Sequence, residues 1–115
     1  MPRSRPLNSL NAGTGSVGGI FSWYSLIHYE PETIRIPLQE FSRALKSGGT
    51  LLVGFFEGQT VEEFAHAVTP AYRWPVDDLG TELSATGFDV VESHVRKTAG
   101  KRPVAAIVAR RRDAH

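Results

Sequence analysis

The sequence has no cysteine in its 115 residues. Disulfides, thiolate metal sites and cysteine nucleophiles are excluded together, and a reducing compartment is allowed. Nor is there an apolar run near the roughly 20 residues that a bilayer-spanning helix needs. Arg3 and Arg5 are followed by a polar, glycine-rich stretch from Leu7 to Gly19, so no secretory leader is expected. A strong charge of one sign is missing too. The 13 Lys and Arg against 12 Asp and Glu leave a formal net charge of +1, which speaks against a dedicated nucleic-acid binder. His28, His66, His94 and His115 show no metal-ligand spacing. These absences point to a cytoplasmic protein with no membrane, nucleic-acid or metal partner.

What remains is ordinary globular material, 41% hydrophobic and 22% charged. That suits one small folded domain with a thin margin of core. Residues 1–18, rich in Pro, Ser, Asn and Gly, read as an arm, 19–112 as the domain and 113–115 as a tail. Ile20 to Ile27 is aromatic and β-branched with apolar groups on both alternating faces, the pattern of a strand covered on both sides. Glu30-Pro31-Glu32 starts a helix that Pro37 renews, with Leu38, Phe41, Ala44 and Leu45 on one face and Gly48-Gly49 as its stop. Thr50 to Phe56 is a second buried strand.

Thr60-Val61-Glu62-Glu63 fits a capping box and predicts a helix with Val61, Phe64, Ala65 and Val68 on one side and Pro70 at its end. Pro75, Asp77 and Asp78 open a further helix, with Leu79 and Leu83 inward and Gly87 as its cap. Phe88, Val90, Val91 and Val95 mark a third strand, and Val104 to Ala109 a fourth with both faces covered. The short polar link Lys97 to Arg102 makes those two an antiparallel hairpin, and Arg110-Arg111-Arg112 is expected to end the last strand in solvent. The fold class is α/β, in the order βα, βαα, ββ.

Three segments in this order resemble the second half of a class I, Rossmann-like S-adenosylmethionine-dependent methyltransferase. Gly19 to His28 is similar to that family's fourth strand and its exit. Phe41-Ser42-Arg43-Ala44-Leu45-Lys46-Ser47-Gly48-Gly49-Thr50-Leu51-Leu52 is similar to its helix, Arg-x-Leu-basic-x-Gly-Gly and fifth strand. Leu83-Ser84-Ala85-Thr86-Gly87-Phe88-Asp89-Val90-Val91 is similar to its later helix-to-strand junction. The resemblance implies a partial methyltransferase sheet of four strands with helices, ending in an antiparallel hairpin. It also implies methyl transfer by in-line displacement from a sulfonium, where the protein aligns donor and acceptor.

The family's first two strands, with the glycine-rich loop and ribose-binding carboxylate that hold most of the cofactor, have no counterpart here. S-adenosylmethionine is therefore the implied cofactor, with weak or absent binding expected. Gly13-Thr14-Gly15-Ser16-Val17-Gly18 matches a dinucleotide fingerprint letter for letter, but no strand precedes it and no helix follows. Open α/β sheets bind ligands beyond the carboxyl ends of their strands. That location makes Trp23, Tyr24 and Ser25 cofactor-facing candidates and His28 the candidate catalytic side chain, set against a loop histidine bonded to backbone. His66, Tyr72 and Trp74 are candidates for a substrate wall, set against simple packing. A strand without its usual neighbour leaves an open edge, which predicts a homodimer or a complementing N-terminal half. Two classes of function stand: an enzyme on a small-molecule acceptor that needs such a partner, or an inert interaction module.

Overall fold

The computed structural model describes residues 17–66 and 69–112. β1 (Val17–Trp23) runs parallel to β2 (Leu45–Phe56), with Phe21 beside Leu52 and Trp23 beside Gly54. Between them lie a short 3-10 turn (Leu26–His28), a second (Pro31–Thr33) and helix α1 (Arg35–Ala44). After β2 come a two-stranded hairpin, β3 (Glu62–His66) and β4 (Thr69–Arg73), then helix α2 (Val76–Ala85). The chain closes with β5 (Phe88–Arg96) and β6 (Val104–Arg111). The main sheet has the order β1-β2-β6-β5, with β6 antiparallel to both of its neighbours. The last strand thus inserts between β2 and β5 rather than extending the edge.

The expected α/β class, the closing hairpin and both long helices are present. α1 buries Pro37, Leu38, Phe41 and Ala44, one helical stripe. α2 buries Leu79 and Leu83 and carries Asp77 and Asp78 in its first turn, where the helix dipole favours acids. Gly87, at φ +101, ends it as a left-handed cap.

Five details differ from the sequence reading. The first strand stops at Trp23, because Leu26 and Ile27 turn inward to the core at 2% and 1% exposure rather than alternating. Tyr24 makes that change of direction with φ +59 while its N–H donates to Gly54 O at 2.8 Å. The Gly48-Gly49 pair does not stop α1, which has already ended at Ala44. It lies within β2, where the pairing with β1 is irregular between Val17 and Gly19.

The predicted helix over Val61 to Val68 is the β3–β4 hairpin instead. Cross-strand partners decide this: Glu62 pairs Arg73 at 3.1 Å, and Phe64 faces Ala71. The Phe64 ring also meets Phe56 edge-on at 5.2 Å and the Arg102 guanidinium at 4.3 Å. Such tertiary contacts outweigh local helix preference. Pro70 sits inside β4, opposite Ala65. The side chains of residues 65–70, including the expected helix-face residues Ala65 and Val68, lie outside those described.

The fourth difference is the arginine run. Arg110 is exposed, but Arg111 donates to Leu45 O at 2.5 Å, and Arg112 donates to Phe88 O at 3.0 Å, Asp89 Oδ1 at 2.8 Å and Ser84 O. Two of the three therefore tie the last strand to β2 and to the end of α2.

The two helices cover one face of the sheet only. That face carries Leu51, Val53, Phe55, Ala105, Ile107 and Ala109, all buried. The alternate positions form the other face: Phe21 is 67% exposed and Trp23 48%, with Leu52, Val104, Ala106 and Val108 half-buried beside them. The expectation that β1 and β6 are covered on both sides is therefore corrected. Their second face is apolar in sequence and bare among the described residues. The arm expected over residues 1–18 lies outside those residues except for Val17 and Gly18, which begin β1. The opening part of the glycine fingerprint also falls outside, and its final two residues are strand, not helix.

Candidate functional site

The parallel strands β1 and β2 both end at one rim of the sheet, and the loops leaving them build the candidate site. At this rim Trp23 lies across β2. A Cβ placed on Gly54 would collide with three atoms of the Trp23 ring, so only glycine lets the indole lie flat on the sheet. Trp23 stacks on Phe21, with ring centroids 5.4 Å apart and planes 4° from parallel. It meets Tyr24 edge-on at 5.2 Å, and Tyr24 packs on Phe56 at 5.1 Å. An aromatic series thus runs from the open face round the strand end to the β3–β4 hairpin.

Trp23 and Tyr24 line a cavity of about 260 Å³ together with His94 and Arg96 of β5 and Val104 and Ala106 of β6. The strand register explains the grouping: Trp23 pairs Gly54, Gly54 pairs Ala106, and Ala106 pairs His94. One row across four strands therefore reads large, small, small, large. His94 Nε2 lies 3.5 Å from Glu92 Oε1, and among the described residues no carboxylate lines the cavity.

A second hollow, about 400 Å³, lies on the helix side between Pro31, Glu32, Val61, Trp74, Asp78 and Glu82. Glu82 is paired with Arg35 at 2.6 Å, which ties α2 to α1. Glu32, with Glu63 and Glu30, also bears on Tyr72. Burial, and secondarily these carboxylates, push the Tyr72 phenol above its ordinary 10.0. A phenol with a raised pKa in the folded state contributes stability below the unfolded value and loses it as pH climbs through the folded one. Alkaline unfolding should therefore begin above about pH 10. Tyr72→Phe should remove a late component of the ultraviolet tyrosinate titration, and an unchanged titration curve would contradict this placement.

Of the residues singled out from sequence, the structure brings Trp23 and Tyr24 together at the rim, with Ser25 half-buried just beyond them. His28 is exposed at the end of the first 3-10 turn and lines neither cavity. Trp74 is 4% exposed, a core residue that also borders the second hollow, and Tyr72 is half-buried against the core. The His66 backbone pairs with Thr69, and its side chain lies outside those described. Sequence reading missed Gly54, His94, Arg96 and Ala106. A glycine inside an otherwise apolar strand was the available signal for close approach. The alternation Glu92-Ser93-His94-Val95-Arg96 was the signal for one polar row on β5.

The described residues do not by themselves fit S-adenosylmethionine. No glycine-rich turn leads from a parallel strand into a helix among them, and the cavity at Trp23 offers no carboxylate for ribose hydroxyls. They also form no cluster of histidines and acids able to hold a metal, and no described helix is long and apolar enough to cross a membrane.

The sequence matches no protein-family model and no curated protein. The fold does match solved structures. One is 1,6-didemethyltoxoflavin-N1-methyltransferase of Burkholderia thailandensis, bound to 1,6-didemethyltoxoflavin and S-adenosylhomocysteine. It is 24% identical at TM-score 0.80, over 95% of this chain and 49% of that one. A second is a SAM-dependent methyltransferase of Methanosarcina mazei, 14% identical at TM-score 0.78, over 94% of this chain and 65% of that one. A third is the cyclase SpnF, 15% identical at TM-score 0.77, over 97% of this chain and 57% of that one. The chain thus has the fold of part of a Rossmann-like methyltransferase and spans between 49% and 65% of the length of these structures.

Proposed function

We propose that this chain is the substrate-side half of an S-adenosylmethionine-dependent methyltransferase, completed by a further segment that packs on the β1 edge and the bare face of the sheet. The observation that carries this reading is the strand order β1-β2-β6-β5, with an antiparallel β6 inserted between strands that run the same way. The fold alone does not fix the reaction, since a cyclase shares it. In this reading the carboxyl end of β1 faces the cofactor through Trp23, Tyr24 and Ser25. Tyr24 has the backbone strain often found at working sites, a non-glycine residue at φ +59. His28, just beyond, is the candidate for orienting the acceptor or accepting its proton. The β3–β4 hairpin, with His66, Tyr72 and Trp74, borders the acceptor side.

Cofactor binding depends on the completing segment, because the residues described supply one wall of the site. Calorimetric titration of the 115-residue chain with S-adenosylhomocysteine tests this dependence. The expected result is no binding tighter than about 1 mM, a free energy no better than about −4 kcal/mol. Micromolar binding would show a complete cofactor site in this chain and overturn the partner requirement. A second reading, an inert module that pairs with its own copy, is favoured by one observation, the exposed Phe21–Trp23 stack.

A further inference from the structure

We infer that the hollow on the helix side binds a small organic ammonium ion that also carries an oxygen acceptor. Glu32 and Asp78 hold the ammonium, and the Trp74 indole N–H donates to the oxygen. Trp74 is the buried residue of the lining, at 4% exposure, with Val61 and Pro31 beside it, so the hollow has an apolar floor. Its backbone is fixed to the end of β2, donating to Phe56 O at 2.9 Å and accepting from Gly58 N–H at 3.3 Å. The indole Nε1 is buried with no hydrogen-bond partner among the described residues. A buried N–H without an acceptor costs free energy, so native folds rarely leave one unserved. An occupant of the hollow that Trp74 borders can supply that acceptor.

Charge sets the sign of the ligand. Glu32, Asp78 and Glu82 border the hollow, and among the described residues no Lys, Arg or His does. Asp78 and Glu82 stand four residues apart on α2, hence on one helical face, where like charges oppose each other. Arg35 answers Glu82 at 2.6 Å, which leaves Glu32 and Asp78 as the charges an occupant meets. The same acidic side is felt nearby, since Glu32 is among the carboxylates that, after burial, raise the Tyr72 phenol. A metal ion does not fit, because no three acids or histidines among the described residues come close enough to hold one. Carboxylates spread round a hollow of about 400 Å³, over an apolar floor, suit an organic cation with an apolar body. None of the lining residues belongs to the main sheet, so the β1 edge and the bare face stay free for their own partner. As the methyl acceptor the amine rests on the function proposed above; as a ligand of the hollow it does not.

The test uses the chain as it is, without cofactor, and follows the indole N–H signals by heteronuclear NMR. The 2 tryptophans give separate signals, and Trp23→Phe identifies that of Trp74. The probe is 4-(aminomethyl)-N,N-dimethylbenzamide. Two comparators separate the features: 4-isobutylbenzylamine keeps the charge and loses the oxygen, and 4-(dimethylcarbamoyl)benzoate keeps the oxygen and reverses the charge. The expected result is a saturable shift of the Trp74 signal alone, with an affinity at least about fivefold better than either comparator's. Asp78→Asn should weaken probe binding about fivefold, whereas Asp77→Asn, in the same first turn of α2 but off the hollow, should leave it unchanged. Both positions are exposed and share the helix-dipole contribution, so a difference between them reports the hollow rather than folding. Equal binding of the benzoate would overturn the cation assignment. Equal binding of the isobutyl amine, or binding that leaves the Trp74 signal in place, would overturn the indole contact. Absence of saturable binding, or equal effects of the two aspartate substitutions, would overturn the site itself. None of these outcomes bears on cofactor binding, which the S-adenosylhomocysteine titration reads separately.

Discussion

Gly49→Ala is expected to destabilise the protein by about 3 kcal/mol, whereas Gly48→Ala, one residue earlier, should cost only about 1 kcal/mol. The two glycines serve different ends. Gly48 has φ +78 and open space around the position a Cβ would take, so alanine there meets only the intrinsic penalty of a left-handed backbone. Gly49 has no positive φ to satisfy, but a Cβ would stand 2.9 Å from Lys46 O, 2.9 Å from Leu45 Cδ2 and 3.1 Å from Gly18 O. Two of those three are backbone carbonyls, which cannot rotate away as a side-chain tip can. Relief requires reshaping the backbone between Lys46 and Gly49 and also moving β1 away from β2, to which it is paired in parallel. At roughly 4 °C per kcal/mol for a domain of this size, the melting point should fall by about 12 °C for Gly49→Ala. Equal losses at the two positions would show that Gly49 is not wedged between the strands.

This pair also shows how far the sequence could be read. Gly-Gly after a helical stripe was legible as a place where the chain changes state, and the change does occur nearby. Which glycine answers to torsion and which to space was not legible, since that depends on the local path of the chain at Leu45 and Lys46 and on Gly18 in another strand. The same limit governs the β3–β4 hairpin. Val61 and Phe64 are spaced for a helix, and only the partners Arg73, Ala71, Phe56 and Arg102, all distant in sequence, make the segment a strand. Other long stretches fared better: α2, β5 and β6 sit where their patterns placed them, while α1 ends at Ala44 and β2 begins at Leu45, ahead of the expected stop at Gly48-Gly49. At the site, Trp23 and Tyr24 were marked by position at a strand end. His94 and Arg96 became neighbours of Trp23 only because β6 inserts between β2 and β5.

The second large effect concerns the bare face. The chain is expected to self-associate at tens of micromolar, and Phe21→Lys or Trp23→Lys should raise the midpoint of that association by about tenfold or more. β1 reads Val-Gly-Gly-Ile-Phe-Ser-Trp, with no charge and no proline to deter another strand. The opposite edge, β5, is guarded by Asp89, Glu92 and Arg96 and by a register shift between Val90 and Glu92. Phe21 and Trp23, at 67% and 48% exposure, leave roughly 250 Å² of aromatic surface in water, and covering it would contribute about 6 kcal/mol before the entropy of association is subtracted. Val91→Lys on β5, an exposed apolar residue, is the control and should leave association unchanged. Sedimentation velocity over a concentration series reads all of these. A monomer at every concentration, or an equal response from Val91→Lys, would mean that the β1 edge and its aromatic pair are not a contact surface.

The proposed function rests on the placement of one strand, and nuclear Overhauser contacts between α-protons address it most directly. Non-hydrogen-bonded partners in antiparallel strands bring their Cα atoms to about 4.5 Å, close enough for strong α-proton signals. With β6 in the centre of the sheet, such contacts must appear from β6 to both sides, from the pairs Leu52–Val108 and Gly54–Ala106 towards β2 and Ser93–Ile107 and Val95–Ala105 towards β5. Contacts from β6 to β5 alone, with β2 touching β5 directly, would put β6 on the outside, remove the methyltransferase strand order and dissolve the cavity between Trp23 and His94.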